Sequence, residues 1–285
     1  HEYRIDLEMK EWRLGVAWAE DRIRPRRNTL YRVYHRAMED DHLLAQVRTA
    51  IFTVRTGNYK VERNGQEVEE LSTYFARPWF RDFLQYAVEA ELWGHSLVEF
   101  DPGSMEQGEF QHLDLIPRLH VRPEYGEVVL NETDEKGIEF RKAPVNKYLL
   151  EIGGREDLGL LKVASRAIIR KDYSMGDWSR RNEKFGQPLL VVRTGSRNKE
   201  ELDEKQRMAE NFGTNLWAIL DDQDQIDLVE SNQAFTFQTF QNMADRIDKA
   251  ISILVNGQTG TTEEKSYVGS AEVHERILNT YTFQS

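Results

Sequence analysis

Apolar residues recur along this chain in two rhythms, one helical and one alternating, and the rhythm changes twice. Leu30, Val33, Tyr34 and Ala37 repeat at helical spacing, and so do Leu43, Leu44, Val47, Ile51 and Val54. Two helices are predicted: one from Asn28 as N-cap to about Glu39, and one capped by Asp40 and Asp41 and stopped at Thr56-Gly57. A short strand over Tyr59 to Glu62 then leads into Asn64-Gly65. Both residues tolerate positive φ, so the pair marks a tight turn from which a second strand departs. Pro78 suits the first turn of another helix, where its missing N–H is not needed. Phe80, Phe83, Leu84, Ala87 and Val88 give that helix an apolar stripe, and it ends at Gly94.

From His95 the period shortens. Strands are predicted at His95–Phe100, Phe110–Ile116, Leu119–Val121, Glu127–Leu130, Ile138–Phe140 and Tyr148–Ile152, punctuated by Pro102-Gly103 and Gly126. Residues 1–157 therefore read as an α+β unit, helices first and a mainly antiparallel sheet after. Its opening, Glu2 to Glu20, mixes charges with Leu7, Trp12, Val16 and Trp18, and reads equally as a packed arm or a strand. The basic cluster Arg22-Ile23-Arg24-Pro25-Arg26-Arg27 reads first as a solvated linker before a helix, and second as a contact with nucleic acid or an acidic neighbour.

After Gly153-Gly154 the helical rhythm returns. One long helix is predicted over Leu158–Lys184, with Leu161, Ala164, Ile168, Met175 and Trp178 towards one side and a weak point at Gly176. It carries seven basic residues against three acids. A small insert follows: strand Leu189–Val192, helix Lys199–Phe212, and strands near Trp217–Leu220 and Ile226–Val229. From Lys199 to Glu230 there are ten acids and three bases. A second long helix, about Phe235 to Val255, has Phe240, Met243, Ile247, Ile251 and Leu254 on its apolar side. A polar loop and a helical start near Ala271–Leu278 close the chain.

Composition narrows the chemistry. With 39% apolar and 31% charged residues, the chain has the profile of a folded protein and not of a disordered or fibrous one. Its apolar runs, such as Ala250–Val255, are far too short to span a bilayer. No secretory signal is expected from His1-Glu2-Tyr3-Arg4, and the lack of an opening Met suits a segment of a longer chain. Zero cysteines exclude disulfides, thiolate zinc sites and thiol nucleophiles. The seven histidines form no His-x-x-x-His pair. A net charge of −11 disfavours broad, static binding to phosphates, but it is compatible with a conduit, whose wall must not hold its cargo.

Two motifs invite chemistry and fail on context. Gly257-Gln258-Thr259-Gly260-Thr261-Thr262 lacks the Gly-Lys-Ser/Thr of a Walker loop and follows a helix instead of a strand. Asp221, Asp222, Asp224 and Asp227 cluster like hard-cation ligands. Counted from Asp222, however, the sixth and twelfth positions are Asp227 and Gln233, where an EF-hand needs Gly and Glu. No Ser/His/Asp order presents itself as a triad. No catalytic residue, cofactor or metal is assigned, and the chain is expected not to be an enzyme.

The stretch from Ile251 through Asn256-Gly257-Gln258-Thr259-Gly260-Thr261-Thr262 to Gly269-Ser270-Ala271-Glu272-Val273-His274 resembles the portal proteins of Mu-like phages and prophages. In that family a helix ends in a Leu-Gly-Gln-Thr-Leu-Thr-Thr type segment, followed by one that opens with Gly-Ser and closes with Val-His. Arg181 to Pro188, ending Phe185-Gly186-Gln187-Pro188, is similar to the family's aromatic-glycine-x-proline turn, and Asp40-Asp41-His42 to its opening of an early helix. Asn256 and Gly260 stand where the family often has Leu.

The resemblance implies an α+β portal fold: a wing over 1–157, stem helices over 158–184 and 235–256, and a small α/β clip over 185–234 between them. Residues 257–285 would hold a tunnel loop and the start of a crown-side helix, with further crown helices expected beyond Ser285. It implies a homo-oligomeric ring, usually of twelve, at a capsid vertex, assembled in the bacterial cytoplasm. The ring would meet terminase, a head–tail adaptor, capsid and scaffold proteins, and transient double-stranded DNA, with no membrane. Candidate channel residues are Gln258, Thr259, Thr261, Thr262 and Lys265, the last able to touch phosphate in passing. Candidate clip contacts are Glu200, Glu201, Asp203 and Glu204, and candidate stem-packing residues are Arg166, Arg170, Phe240 and Ile247. Two other classes remain open: a metal-dependent hydrolase or nuclease with a carboxylate site, and a monomeric interaction scaffold.

Overall fold

The opening segment, which the sequence pattern leaves undecided, is a helix in the computed structural model. The structure describes residues 2–101, 113–185, 189–193, 198–200, 202–203, 206–207, 225–229 and 233–257. Helix α1 (Glu2–Ala19) packs Trp12, Val16 and Ala19 against the core, a spacing that only a helix puts on one face. It crosses α2 (Asn28–Ala37) at Gly15, where a Cβ would stand 3.1 Å from the Leu30 nitrogen.

Helix α2 starts one residue earlier than Asn28 as cap would require. Arg27 occupies the cap position and makes no side-chain capping bond. Its guanidinium turns inward instead, donating to the carbonyl of Asp157 at 2.6 Å and to that of Arg155, with the Glu124 carboxylate 3.5 Å away. Arg27 and Glu124 are both buried, so the pair ties the start of α2, the turn at 123–126 and the segment before the first long helix into one body. Removing either partner would strand a buried charge. Asp40 does cap α3 (Asp41–Thr56) as expected, accepting from the Leu43 N–H at 2.9 Å.

Asn64 and Gly65, with φ of 55° and 77°, turn the chain between β1 (Glu62–Arg63) and β2 (Gln66–Glu67). A short helix, α4 (Glu69–Phe75), precedes α5 (Pro78–Trp93). Helix α5 has Pro78 in its first turn and ends at Gly94 with φ 86°. Strand β3 (His95–Glu99) is central in an antiparallel sheet between β4 (Asp114–Leu115) and β8 (Leu149–Gly153). His95 pairs with Gly153 and Val98 with Leu115. A second antiparallel sheet runs β5 (Val121–Arg122), β6 (Glu127–Val128), β7 (Ile138–Glu139). The strand expected at Leu119–Val121 is mostly a 3-10 turn, Arg118–His120. Pro117 fixes its own φ there, and its carbonyl accepts from the His120 N–H at 2.9 Å.

Helix α6 (Leu161–Phe185) and helix α7 (Gln233–Asn256) are the two long helices. Between them lie β9 (Leu189–Arg193) and β10 (Gln225–Val229), antiparallel with Leu189 opposite Val229. Described residues between 199 and 207 are helical; the strand expected near Trp217–Leu220 and the helix near Ala271–Leu278 fall outside the described residues. The chain forms two compact units, one within His1–Asp172 and Asp245–Ser285 and one within Tyr173–Ala244.

The core of the first unit explains why its boundaries cut the long helices. Leu161, Ala164 and Ile168 of α6 and Ile251 and Val255 of α7 are buried with Tyr31 and Tyr34 of α2, Leu43 and Val47 of α3, and Trp93 of α5. Tyr34 satisfies its buried hydroxyl by donating to the Leu158 carbonyl at 2.7 Å. In the second unit, the Ser174 hydroxyl lies 3.0 Å from the Met243 sulfur.

Candidate functional site: the seat of the second long helix

Helix α7 carries two rows of residues four apart. Ile247, Ile251 and Val255 face the core, and beside them Asp248, Ser252 and Asn256 form a polar row. Each member of the polar row meets a partner in the first unit. The Lys171 ammonium bridges Asp248 at 2.6 Å and Asp40 at 2.9 Å. Burial pulls its pKa down, but the hydrogen bonds it donates to the two carboxylates outweigh that and hold it above the ordinary lysine value. The Ser252 hydroxyl donates to the Asp248 carbonyl at 3.0 Å, which leaves it to accept from His42 Nε2–H at 2.8 Å. The Asn256 amide donates to Gln46 Oε1 at 2.6 Å and to the Gln46 carbonyl at 3.3 Å.

The first half of α3 thus forms a polar seam that fixes where α7 ends. Gly257, with φ 70°, then takes the chain out of the helix. The candidate channel residues Gln258, Thr259, Thr261, Thr262 and Lys265 follow directly and lie outside the described residues. Of the clip candidates, Glu200 and Asp203 are exposed, and Glu201 and Glu204 lie outside the described residues.

Arg166 and Arg170 are exposed on α6, and the Arg166 guanidinium sits over the Trp12 ring at 5.6 Å. Ile247 packs against the core of the first unit, whereas Phe240 is half-buried in the second. Sequence reasoning missed Lys171, Gln46, Asp248 and Ser252. The available signal was a polar residue at every fourth position beside an apolar row, which a solvated helix face does not require.

One other group of ionisable residues is tightly arranged. His95, buried at the start of β3, donates from Nε2 to Glu151 Oε1 at 3.0 Å, and Arg141 Nε donates to the other Glu151 oxygen at 2.9 Å. Burial dominates and pushes His95 down to about 4, so the imidazole is neutral. Ser96 faces the opposite side of the strand, where its hydroxyl accepts from Arg118 at 3.1 Å, so it is no nucleophile partner for His95. Among the described residues, no group of three or more His, Asp or Glu is placed to hold a metal ion. Among the same residues, no helix is long and apolar enough to cross a membrane.

These features define a class: an α+β protein with a helix-rich first unit, a small second unit that holds a two-stranded antiparallel sheet, and two long helices shared between the units in sequence, the second ending in a pinned exit. The family described as the portal protein of Mu bacteriophage matches residues 31–282, and the chain belongs to that family. A solved HK97-family phage portal protein from Corynebacterium diphtheriae is similar, with 13% identity, a TM-score of 0.47, and 83% of this chain and 81% of that one covered. No curated protein matches the chain.

Proposed function

We propose that this portal-family chain is a structural subunit of a homo-oligomeric ring at a capsid vertex, the conduit through which double-stranded DNA is packaged and ejected. The observation that carries the reading is the family match over residues 31–282, which includes both long helices, the insertion between them and the segment after Gly257. On this reading residues 1–157 are the wing, 158–184 and 235–256 the stem helices, 185–234 the clip, and 257–285 the tunnel loop and crown-side start. Twelve copies form the ring, before assembly in the bacterial cytoplasm and afterwards at the vertex. Arg166, Arg170, Phe240 and Ile247 pack the stem.

Gln258, Thr259, Thr261, Thr262 and Lys265 line the channel. The exit of α7 at Gly257 supports this, because the seam with α3 gives the following segment a fixed origin. Glu200, Glu201, Asp203 and Glu204 are contacts for terminase and then for the head–tail adaptor, supported by the exposure of Glu200 and Asp203. Capsid and scaffold proteins are the remaining partners. The chain hydrolyses nothing, and packaging energy comes from the terminase. A net charge of −11 suits a wall along which DNA slides, since each phosphate contact would release counterions and add affinity.

Native mass spectrometry with negative-stain microscopy of the full-length protein tests this reading. A ring with a central hole wide enough for duplex DNA is expected. A full-length protein that stays monomeric at high concentration would refute it.

A further inference from the structure

Arg22, Arg24 and Arg26 are exposed on a loop that is itself well held. Asp21 Oδ1 accepts from the N–H of Ile23 at 2.7 Å and of Arg24 at 2.8 Å, and the Arg26 N–H donates to the Trp18 carbonyl at 2.8 Å. The turn presents Ile23 at its tip, 85% exposed, between two arginines. Among the described residues none of the three guanidinium groups has an ion-pair partner. In a chain of net charge −11, a braced turn offering three exposed guanidinium groups around an apolar tip, with Asp21 as its one acid, has the form of a contact surface. A phosphate backbone would satisfy the charges and leave Ile23 in water. An acidic protein face with an apolar spot would satisfy both.

The first unit carries such a face. Glu62, Glu69 and Glu70 are exposed and unpaired among the described residues, three acids against the one exposed Arg63 beside Glu62, and Leu71 next to them is 36% exposed. The two surfaces lie at opposite ends of α5. Its last turn meets the segment beside the basic loop: the Leu160 N–H donates to the Glu91 carbonyl at 3.2 Å, and Arg27 holds Asp157. Its first turn meets the acidic side, with Phe80 against Phe75 at 4.9 Å. Sixteen helical residues separate these ends by about 24 Å, so the surfaces cannot meet within one copy. Between copies they can, as a head-to-tail contact of the kind that closes into a ring.

We propose that the Arg22–Arg26 loop of one copy docks on the Glu62, Glu69, Glu70 and Leu71 face of a second copy. This rests on the ring-subunit reading, although the loop itself precedes the family-matched residues 31–282.

Charge reversal in the full chain, followed by sedimentation velocity at low salt and by native mass spectrometry, tests it. Arg22→Glu/Arg24→Glu/Arg26→Glu sets acid against acid, and Glu62→Lys/Glu69→Lys/Glu70→Lys sets base against base. Each triple variant is expected to weaken association at least about tenfold, and the chain carrying all six reversals to recover most of it. Recovery separates the contact from a folding defect, which further substitutions would not repair. Triple variants that assemble like the unmodified chain, or a six-fold variant no better than the triples, overturn the contact and leave the ring reading standing. Loss of duplex-DNA binding with unchanged assembly also overturns it, in favour of a nucleic-acid partner. An unmodified chain that never associates overturns both.

Discussion

The side-chain amide of Asn256 donates to Gln46 Oε1 at 2.6 Å, across 210 residues of sequence, and neither residue is exposed at all. The pairing is incomplete: among the described residues, Gln46 Nε2 and Asn256 Oδ1 are buried without a hydrogen-bond partner. Asn256→Leu alone removes the donor to Gln46 Oε1 and should cost about 1–3 kcal/mol, as should Gln46→Leu. The double change replaces two under-satisfied amides by apolar groups of similar size and should recover that loss or exceed the parent stability. Chemical denaturation of the four proteins gives the coupling. Simple additivity of the two single costs would show that the amides are not a unit.

That pair also shows what the sequence can and cannot reveal. The Asp40 cap, the Asn64-Gly65 turn, the Pro78 start and the Gly94 stop are all legible, because each is a local backbone matter settled within a few residues. The α+β order and the two long helices follow from periodicity. Arg27 reads as linker charge because its carbonyl partners lie about 130 residues downstream. The ambiguous α1 becomes a helix because Trp12 finds the Lys162 carbonyl at 3.1 Å, a contact no local pattern encodes. At the candidate site, Asn256 stands out as a departure from the family's Leu. Its physical reason, Gln46, sits on a helix that looks merely amphipathic.

His95 gives the fold a pH dependence. Its pKa falls from 6.5 to about 4 in the folded chain because the buried site disfavours a charged ring, while the unfolded chain protonates near the ordinary value. The unfolded state therefore binds more protons between these two values. Stability is fully present above about 6.5 and falls as pH drops towards 4, by roughly 3 kcal/mol in all. Glu151 adds to the loss at lower pH: burial pushes its carboxyl up, but Arg141 and His95 outweigh that and hold it below the ordinary value. His95→Gln keeps a donor for Glu151 and removes the titration. Urea midpoints from pH 7.5 to 4.5 should flatten in this variant relative to the parent. Parallel curves would mean that His95 is not the group responsible.

Two glycines with nearly the same backbone angle should respond to alanine very differently. Gly65 has φ 77° and open space where a Cβ would go, so Gly65→Ala carries only the left-handed backbone cost, about 1 kcal/mol. Gly159 has φ 69°, and a Cβ there would lie 2.2 Å from the Leu92 carbonyl oxygen and 2.4 Å from the Gly94 nitrogen. Both neighbours are backbone at the end of α5 and cannot swing away as a side chain would. Gly159→Ala must part α5 from the start of α6 two residues later, so it should cost more than about 4 kcal/mol or prevent folding. Denaturation midpoints, or soluble yield where none can be measured, separate the two. Equal losses would mean that the α5–α6 junction yields easily, and that it does not hold the first turn of the long helix in place.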